Sequence, residues 1–532
     1  MREIPQPQGT RLLLPKSSAD WDEIITQFAT GPTEERRIFA AVLEVVKTHR
    51  CDGILVEEQY VDRDYRAEFA SIYSRIHRSP SRETTRLIFF RRGKKDKHTN
   101  GVGEDGRCLG YVVLRPLTIG RVGRSFLMPP AWPKEAHVVC RADNNSHVGH
   151  QRFTIDGSPF IHQDAMVMVC AQASIWTALY YLHVRYGTAR YVPSDITERA
   201  YRNLSWHGAQ VPTAGLTLDH MVNAVAQLGY APIVQTFEEP TRRKTALSKA
   251  KRAGDILRMV MPYLESQIPV ILVLPEHAVC AVGHVLANAR LSRVETVQRL
   301  ADWTAGLIVH DDAVGPYRVL MRSSEKTSGA ELLPSAVVPF LSKHHLEDVV
   351  AVIVPMPAKL HSTADAIETH VDTLLKAQSG ELVDLAEYAR AEGLNGTHFI
   401  EWEHAWRRKD AHRLTVRTYL IDTVEYIRSL ASHDFLGFNQ DLRRYYSRRK
   451  WPRTVWVSEL VTQTQMESSD GRQVIGEVIS DPTANRYERP FLSVHVPGFV
   501  FDFDEHQLYT IKSDRPYAFG TGGVYSRVSR PF

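Results

Sequence analysis

The chain has 532 residues, of which 43% are hydrophobic and 24% charged, and its formal net charge is +4. At ~150 residues per domain this length implies two to four domains, and the composition is that of a globular chain, not a disordered or fibrous one. So small a net charge for the length gives no general case for a nucleic-acid partner.

The N-terminus, "MREIPQPQGTRLLLPKSS", has only Leu12 to Leu14 as an apolar run, too short for a signal-peptide core. No later segment reaches the ~18 uninterrupted apolar residues of a membrane helix, so an unanchored, cytoplasmic protein is expected. Residues 1–150 mix helix and strand signals and are read as a first domain of unassigned role. "TEERRIFAAVLEVVKTH" has helical apolar spacing with Thr33 as its N-cap, and "RDYRAEFASIYSRIH" from Arg63 is a second helix. "TRLIFF", "LGYVVLRPL" and "AHVVCRA" read as strands. The charged, Gly-rich "RRGKKDKHTNGVGEDG" between the first two reads as a loop.

Residues 151–357 read as an α+β domain. A helix opens at Cys170. "LTLDHMVNAVAQLGY" is a second helix closed by Gly229, and "GDILRMVMPYLESQ" a third with Asp255 as its cap. The strands "PVILVL", "HAVCAVGHVL", "GLIVHD", "YRVLM" and "VVAVIVP" follow. Helices first and strands afterwards argue against a βαβ Rossmann pattern, and no Gly-rich phosphate loop is present. Residues 358–532 begin with the helical periods of "DTLLKAQ", "LVDLAEYARAEG" and "VRTYLIDTVEYIRSLASH". They end β-rich in "TVWVSEL", "QVIGEVISD" and "FLSVHVPGFVFDF". They form either a third domain or an extension of the second.

The five cysteines, Cys51, Cys108, Cys140, Cys170 and Cys280, are widely spaced and contain no Cys-x-x-Cys. Neither a disulfide framework nor a structural zinc site is expected. Cys170 differs from the others in position. It precedes "AQASIWTALYYLH", a helix apolar nearly all round and therefore buried. The free N–H groups and partial positive charge of that helix N-terminus favour a nucleophilic thiolate. The plain alternative is a small buried hydrophobe.

A nucleophile needs a base, and His277, opening an apolar strand after Pro275-Glu276, is the best candidate. Strand alternation puts His284 and Cys280 on the other face, which disfavours a two-histidine metal site there. A base needs an orienting acceptor, and "GLIVHDD" ends in Asp311 and Asp312. Alternation would let only one of them reach the histidine. Gln163, seven residues before Cys170, is placed to share an oxyanion hole with the Cys170 backbone N–H.

In this order of Gln, Cys opening a buried helix, His opening a strand and Asp ending the next, the sequence resembles the papain-like cysteine peptidases. It is nearest in motif order to the double-glycine-leader peptidases that process bacteriocins. The resemblance covers roughly residues 155–325 and rests on "HQDAMVMVCAQAS", "LTLDHMVNAVAQLGY", "PVILVLPEHAVCAVGH" and "VHDDAVGPY". It implies a papain-like core, a buried helix packed on an antiparallel sheet, with flanking N- and C-terminal domains. It also implies Cys170 as nucleophile, His277 as general base, Asp311 as orienting group and Gln163 in the oxyanion hole. Three positions depart from the family pattern. The glutamine stands seven residues before the cysteine where six is usual, Ala171 replaces a glycine, and Asp312 replaces a proline, which leaves open which aspartate acts.

The expected function is a cysteine hydrolase cleaving a peptide or isopeptide bond of a protein or peptide substrate, with no metal or cofactor. An acyltransferase or transglutaminase-like enzyme would use the same triad, and an inactive peptidase fold would serve binding alone. Nucleic-acid contact through "RRYYSRRK" from Arg443, where Tyr445 and Tyr446 interleave basic residues, is less favoured than a solvated face. No membrane partner is expected.

Overall fold

The structure, a computed structural model, describes the chain apart from residues 6–9, 95–105, 149–150, 165, 167–168, 203–214, 238–245, 288–296, 324–334, 358–359, 376–380, 392, 394–413, 432–439, 463–473, 475, 486–488, 497–498 and 511–532. It is a mixed α+β protein, with three sheets among the described residues. Two compact units divide the chain. The first holds Met1–Ala250, Ile268–Val285 and Gly306–Ala358. The second holds Lys251–Gln267, Leu286–Ala305 and Lys359–Phe532.

In the first unit, strands β1 (Arg2–Pro5), β2 (Thr10–Leu14), β3 (Gly53–Tyr60), β4 (Thr84–Arg91), β5 (Arg107–Leu114), β6 (Val122–Leu127), β8 (Ala142–Val148) and β9 (Gln151–Phe160) form one sheet in the order β1-β2-β3-β4-β5-β6-β9-β8. Continuous apolar runs such as Leu87–Phe90, all buried, mark strands covered on both faces. Position 150, expected as a domain boundary, lies between β8 and β9, and β8 pairs along its full length with Gln151–Gly157 of β9. β9 also pairs with β6. Residues on both sides of 150 therefore share a sheet.

Helix α1 spans Ser18–Phe28 and α2 spans Thr33–Thr48. Thr33 is the first helical residue of α2 and not its cap. Pro32 holds the cap position without a side-chain bond, and Glu34 and Glu35 supply negative charge to the first turn. Helix α3 is only Arg63–Ser71, because a 3₁₀ turn at Tyr73–Arg75 breaks the expected longer period. Asp62 caps it, accepting from the N–H groups of Asp64 and Tyr65. The charged loop from Arg91 lies largely outside the described residues.

The second sheet has the order β10-β17-β11-β12-β14-β15-β16. Its strands are β10 (Ala231–Thr236), β11 (Val270–Leu274), β12 (His277–Leu286), β14 (Thr304–Asp311), β15 (Gly315–Met321), β16 (Leu341–His345) and β17 (Ala351–Met356), and the short β7 (Ala136–Val138) joins β12. β10–β17, β11–β17, β11–β12, β7–β12 and β14–β15 pair antiparallel, and β15–β16 pairs parallel. Helix α4 (Cys170–Tyr186) packs against β8 and β9 on one side and β11 on another. Contact on several sides is the physical reason its sequence is apolar nearly all round. Gly187, in the left-handed conformation, ends it. Helices α5 (Pro193–Tyr201) and α6 (Leu218–Gln227) follow, with Gly229 at φ +89° after α6. Helix α7 runs Ala246–Glu265, so Asp255 is interior and not a cap. The Ala- and Lys-rich "ALSKAKRA" is itself a good helix former and carries the helix further back.

In the second unit, β13 (Val297–Arg299) lies parallel to β18 (Leu414–Asp422). β19 (Thr454–Thr462), β20 (Gly476–Ser480), β21 (Phe491–Val496), β22 (Phe499–Asp502) and β23 (Gln507–Thr510) follow in antiparallel order. The helix expected across "VRTYLIDTVEYIRSLASH" is corrected here. Its first part is β18, paired along its length with β19, and helix begins only at Thr423. The β-branched and aromatic "LTVRTYLI" suits a buried strand, and pairing outweighs helical spacing. Arg417 is buried in β18 and held by Glu265 at 2.5 Å and Glu459 at 2.9 Å. Tyr445 and Tyr446 are also buried, so their rings are not available for base stacking. Among the described residues no helix is long and apolar enough to cross a membrane.

Candidate active site

Cys170 is the first helical residue of α4. Val169 precedes it in extended backbone, and the buried Gln172 side chain accepts the Val169 N–H at 3.3 Å, fixing the helix start. The first intrahelical bond runs from the Ala173 N–H to Val169. The N–H groups of Cys170 and Ala171 thus have no acceptor within the helix and point out of its end. One turn further, Ser174 donates from Oγ to the carbonyl of Ala278 at 2.9 Å. That bond ties the helix to β12 next to His277.

His277 is the first residue of β12 and pairs with Leu274 across the two-residue turn Pro275-Glu276. Proline presets the first turn position. Glu276 then takes φ +60°, a strained conformation for a residue with a Cβ. The tight hairpin aims the His277 ring at the end of β14. Its Nε2 lies 3.0 Å from Asp311 Oδ1 and 4.0 Å from Asp312 Oδ1. The Cys170 thiol lies close enough to the same ring for a side-chain hydrogen bond to raise its pKa.

Burial alone would lower the pKa of His277. The hydrogen bonds to Asp311 and Cys170, with the negative charge of the two aspartates, outweigh it and push the value up to about 10. Burial would raise Asp311, but its bond to His277 and the Ala313 N–H hold it below the ordinary carboxylate value. Burial raises Asp312 to about 7, with the charge of His277 opposing it and that of Asp311 adding to it.

Both aspartates lie near His277, whereas strand alternation predicted only one. β14 stops at Asp311, and its register with β15 shifts between Val309 and Asp311, with Tyr317 at φ +53°. Past such an irregularity, facing no longer follows odd and even positions. Asp311 is the one at hydrogen-bond distance.

Gln163 lies half-buried in the segment between β9 and α4. That segment is pinned by the buried Arg115, which donates to the His162 carbonyl at 2.6 Å and lies 3.6 Å from Asp164. It is also pressed onto Gly120 (φ +78°), where any Cβ would meet the Gln163 carbonyl at 2.5 Å. The structure brings Cys170, His277 and Asp311 together. It gives the Gln163 amide no hydrogen bond to either the thiol or the ring among the described residues.

Three neighbours escaped the sequence reading. His162 is buried, with Nδ1 2.5 Å from the Asp312 carbonyl and Nε2 3.1 Å from Glu35 of α2. Glu35 in turn accepts the N–H groups of Gly120 and Arg121. His344 stacks on His277, with centroids 5.7 Å apart, and burial together with the charge of His277 lowers its pKa. Ser174 had a signal, being four residues from Cys170 on one helix face. His162 and His344 had none, since their partners are remote in sequence.

None of the five cysteines is in a disulfide, and Cys170 alone is not buried. Burial pushes Cys51 and Cys108 up to about 12 and raises Cys280 further. His277, Asp311 and Asp312 also have ligand atoms within 4.8 Å of one another, close enough for a metal ion. No protein-family model matches the chain, and no curated protein or solved structure matches it either.

Proposed function

We propose that the protein is a papain-like cysteine hydrolase that cleaves a peptide or isopeptide bond of a protein or peptide substrate. The observation that carries this reading is the His277 ring, held by Asp311 at 3.0 Å and acted on by the Cys170 thiol at the start of α4. His277 takes the thiol proton, and the Cys170 thiolate attacks the substrate carbonyl. The oxyanion so formed is met by the Cys170 N–H at the helix N-terminus and by the Gln163 amide. His277 returns its proton to the departing amine, leaving a thioester. It then takes a proton from water, which attacks the thioester and releases the acid. Asp311 keeps the ring in the productive tautomer. The unpaired thiols agree with a cytoplasmic setting.

The test is competitive alkylation of the folded protein by limiting iodoacetamide, with the sites read by mass spectrometry. Cys170 is expected to label first, and His277→Ala to slow it on the order of 100-fold. Preferential labelling of Cys51 or Cys108 in folded protein, with Cys170 protected, would defeat the reading.

A further inference from the structure

The two aspartates beside His277 carry more negative charge than one imidazole answers. Asp311 is 0% and Asp312 3% exposed. Asp311 Oδ2 and both oxygens of Asp312 are buried with no hydrogen-bond partner among the described residues. His277 is the only cation within ion-pair distance of either carboxylate among those residues. A buried carboxylate without donors is strongly unfavourable unless a cation or a proton compensates it. A triad needs one carboxylate, so Asp312 is surplus to the proposed chemistry.

Geometry says which cation fits. Zinc binds imidazole nitrogen and carboxylate oxygen at ~2.0–2.2 Å, which at a tetrahedral angle sets neighbouring ligand atoms roughly 3.4 Å apart. The distances from His277 Nε2 to the two aspartate oxygens, 3.0 and 4.0 Å, bracket that edge. The third edge, between the two aspartates, lies within 4.8 Å, so the three would close inward onto one ion. One nitrogen and two oxygens, with a fourth corner left to water, suit zinc and its first-row neighbours better than calcium or magnesium, which take more oxygen ligands.

We propose that His277 Nε2, Asp311 and Asp312 form an inhibitory site for a zinc-type divalent cation. The inference rests on the hydrolase reading for its consequence, not for the binding itself. A ligating histidine is neutral, so the Nε2 proton leaves to solvent as the metal binds. The ring then holds only its Nδ1 proton, and the N–H of a neutral imidazole is too weak an acid to protonate the departing amine. The ion occupies the nitrogen that Asp311 orients and halts proton transfer, so it acts as an off switch and not as a cofactor.

Zinc binding to the full chain is to be measured by competition with a chromogenic chelator. One ion per chain is expected, its affinity falling at least tenfold in Asp312→Asn and staying within about threefold of wild type in Cys170→Ala. Absence of that ion in wild type, wild-type affinity in Asp312→Asn, or its loss in Cys170→Ala would overturn the proposal, the last by putting the metal on the thiol. Should Asp312→Asn fail to fold, the wild-type protein loaded with cobalt(II) decides. Absorption without a thiolate-to-metal charge-transfer band supports the nitrogen–oxygen site, and such a band overturns it. None of these readouts requires turnover, so an inert Cys170 would defeat the hydrolase reading and leave the metal site standing.

Discussion

Among the described residues, two places hold a nucleophilic atom, an imidazole and a carboxylate together. In the first unit they are Cys170, His277 and Asp311. In the second they are Ser493, His495 and Glu477, with Ser493 Oγ 3.1 Å from His495 Nε2 and Nδ1 3.0 Å from Glu477. The imidazole–carboxylate distance is 3.0 Å in both. Their settings differ. Ser493, His495 and Glu477 are each 0% exposed, and they share one face of the paired strands β20 and β21, with Glu477 directly opposite His495. Tyr446 and Tyr426 close the remaining bonds, each at 2.6 Å, to His495 and Glu477. That network is saturated and sealed, as a structural polar core is. The Cys170 group is instead assembled from a helix start, a strand start and a strand end. It reaches solvent at Cys170 and His277, and it leaves carboxylate oxygens without partners. A nucleophile–imidazole–carboxylate group is therefore common to both, while access and free helix N–H donors belong only to the first.

The contrast can be broken most forcefully at His495. His495→Ala strands Glu477 in the core and is expected to lower stability by about 3 kcal/mol or more in chemical denaturation, with Cys170 alkylation unchanged in protein that remains folded. Slowed alkylation without loss of stability would mean that the second group is functional too. His277→Ala should behave in the opposite way. Its ~100-fold loss of Cys170 alkylation, about 2.7 kcal/mol of barrier, should come with only a small change in melting temperature.

The pH dependence sharpens the same contrast. His277 is held protonated up to about 10 against 6.5 when unperturbed. Because the folded value is the higher one, the stability it contributes is fully present below pH 6.5 and is lost as pH rises through 10. Asp311 is shifted down, so its contribution is present above the ordinary carboxylate value and is lost as pH falls. Asp311→Asn is expected to flatten the decline of melting temperature between pH 6.5 and 10, and an unchanged slope would disprove the coupling. Ser174→Ala removes the bond that ties α4 to β12. It should lower stability by about 1–2 kcal/mol and slow alkylation less than tenfold, as measured by unfolding and labelling together. The smallest effect is expected at Glu276. Glu276→Gly relieves a positive φ in an exposed turn and should gain at most about 1 kcal/mol, read as a rise in melting temperature.

Much of the site is legible from local signals. An apolar helix with Cys170 at its start, a proline turn before His277 and a strand ending at Asp311 each appear within about ten residues. Local physical chemistry decides such features: helix burial, turn geometry and strand length. The second group is legible only in hindsight, because Glu477 and His495 sit inside ordinary strand patterns and meet through register. The nearness of Asp312 to the ring, 4.0 Å against 3.0 Å for Asp311, is not legible either, for a related reason. Alternation is a rule for regular strands, and the shift after Val309 suspends it. The β18 segment reads as helix from its spacing and becomes strand because β19 pairs with all of it.

By itself the sequence determined which residues have the right chemistry and where each stands in its own element. Those properties are set by neighbours along the chain. Only the tertiary structure decided that Cys170, His277 and Asp311 meet, that Asp312 joins them unpartnered, and that Glu35 reaches across to His162 behind them. It also decided that residues on either side of position 150 share one sheet. Each of these depends on close packing between segments tens to hundreds of residues apart, and pairing of that kind leaves no period or motif in the sequence.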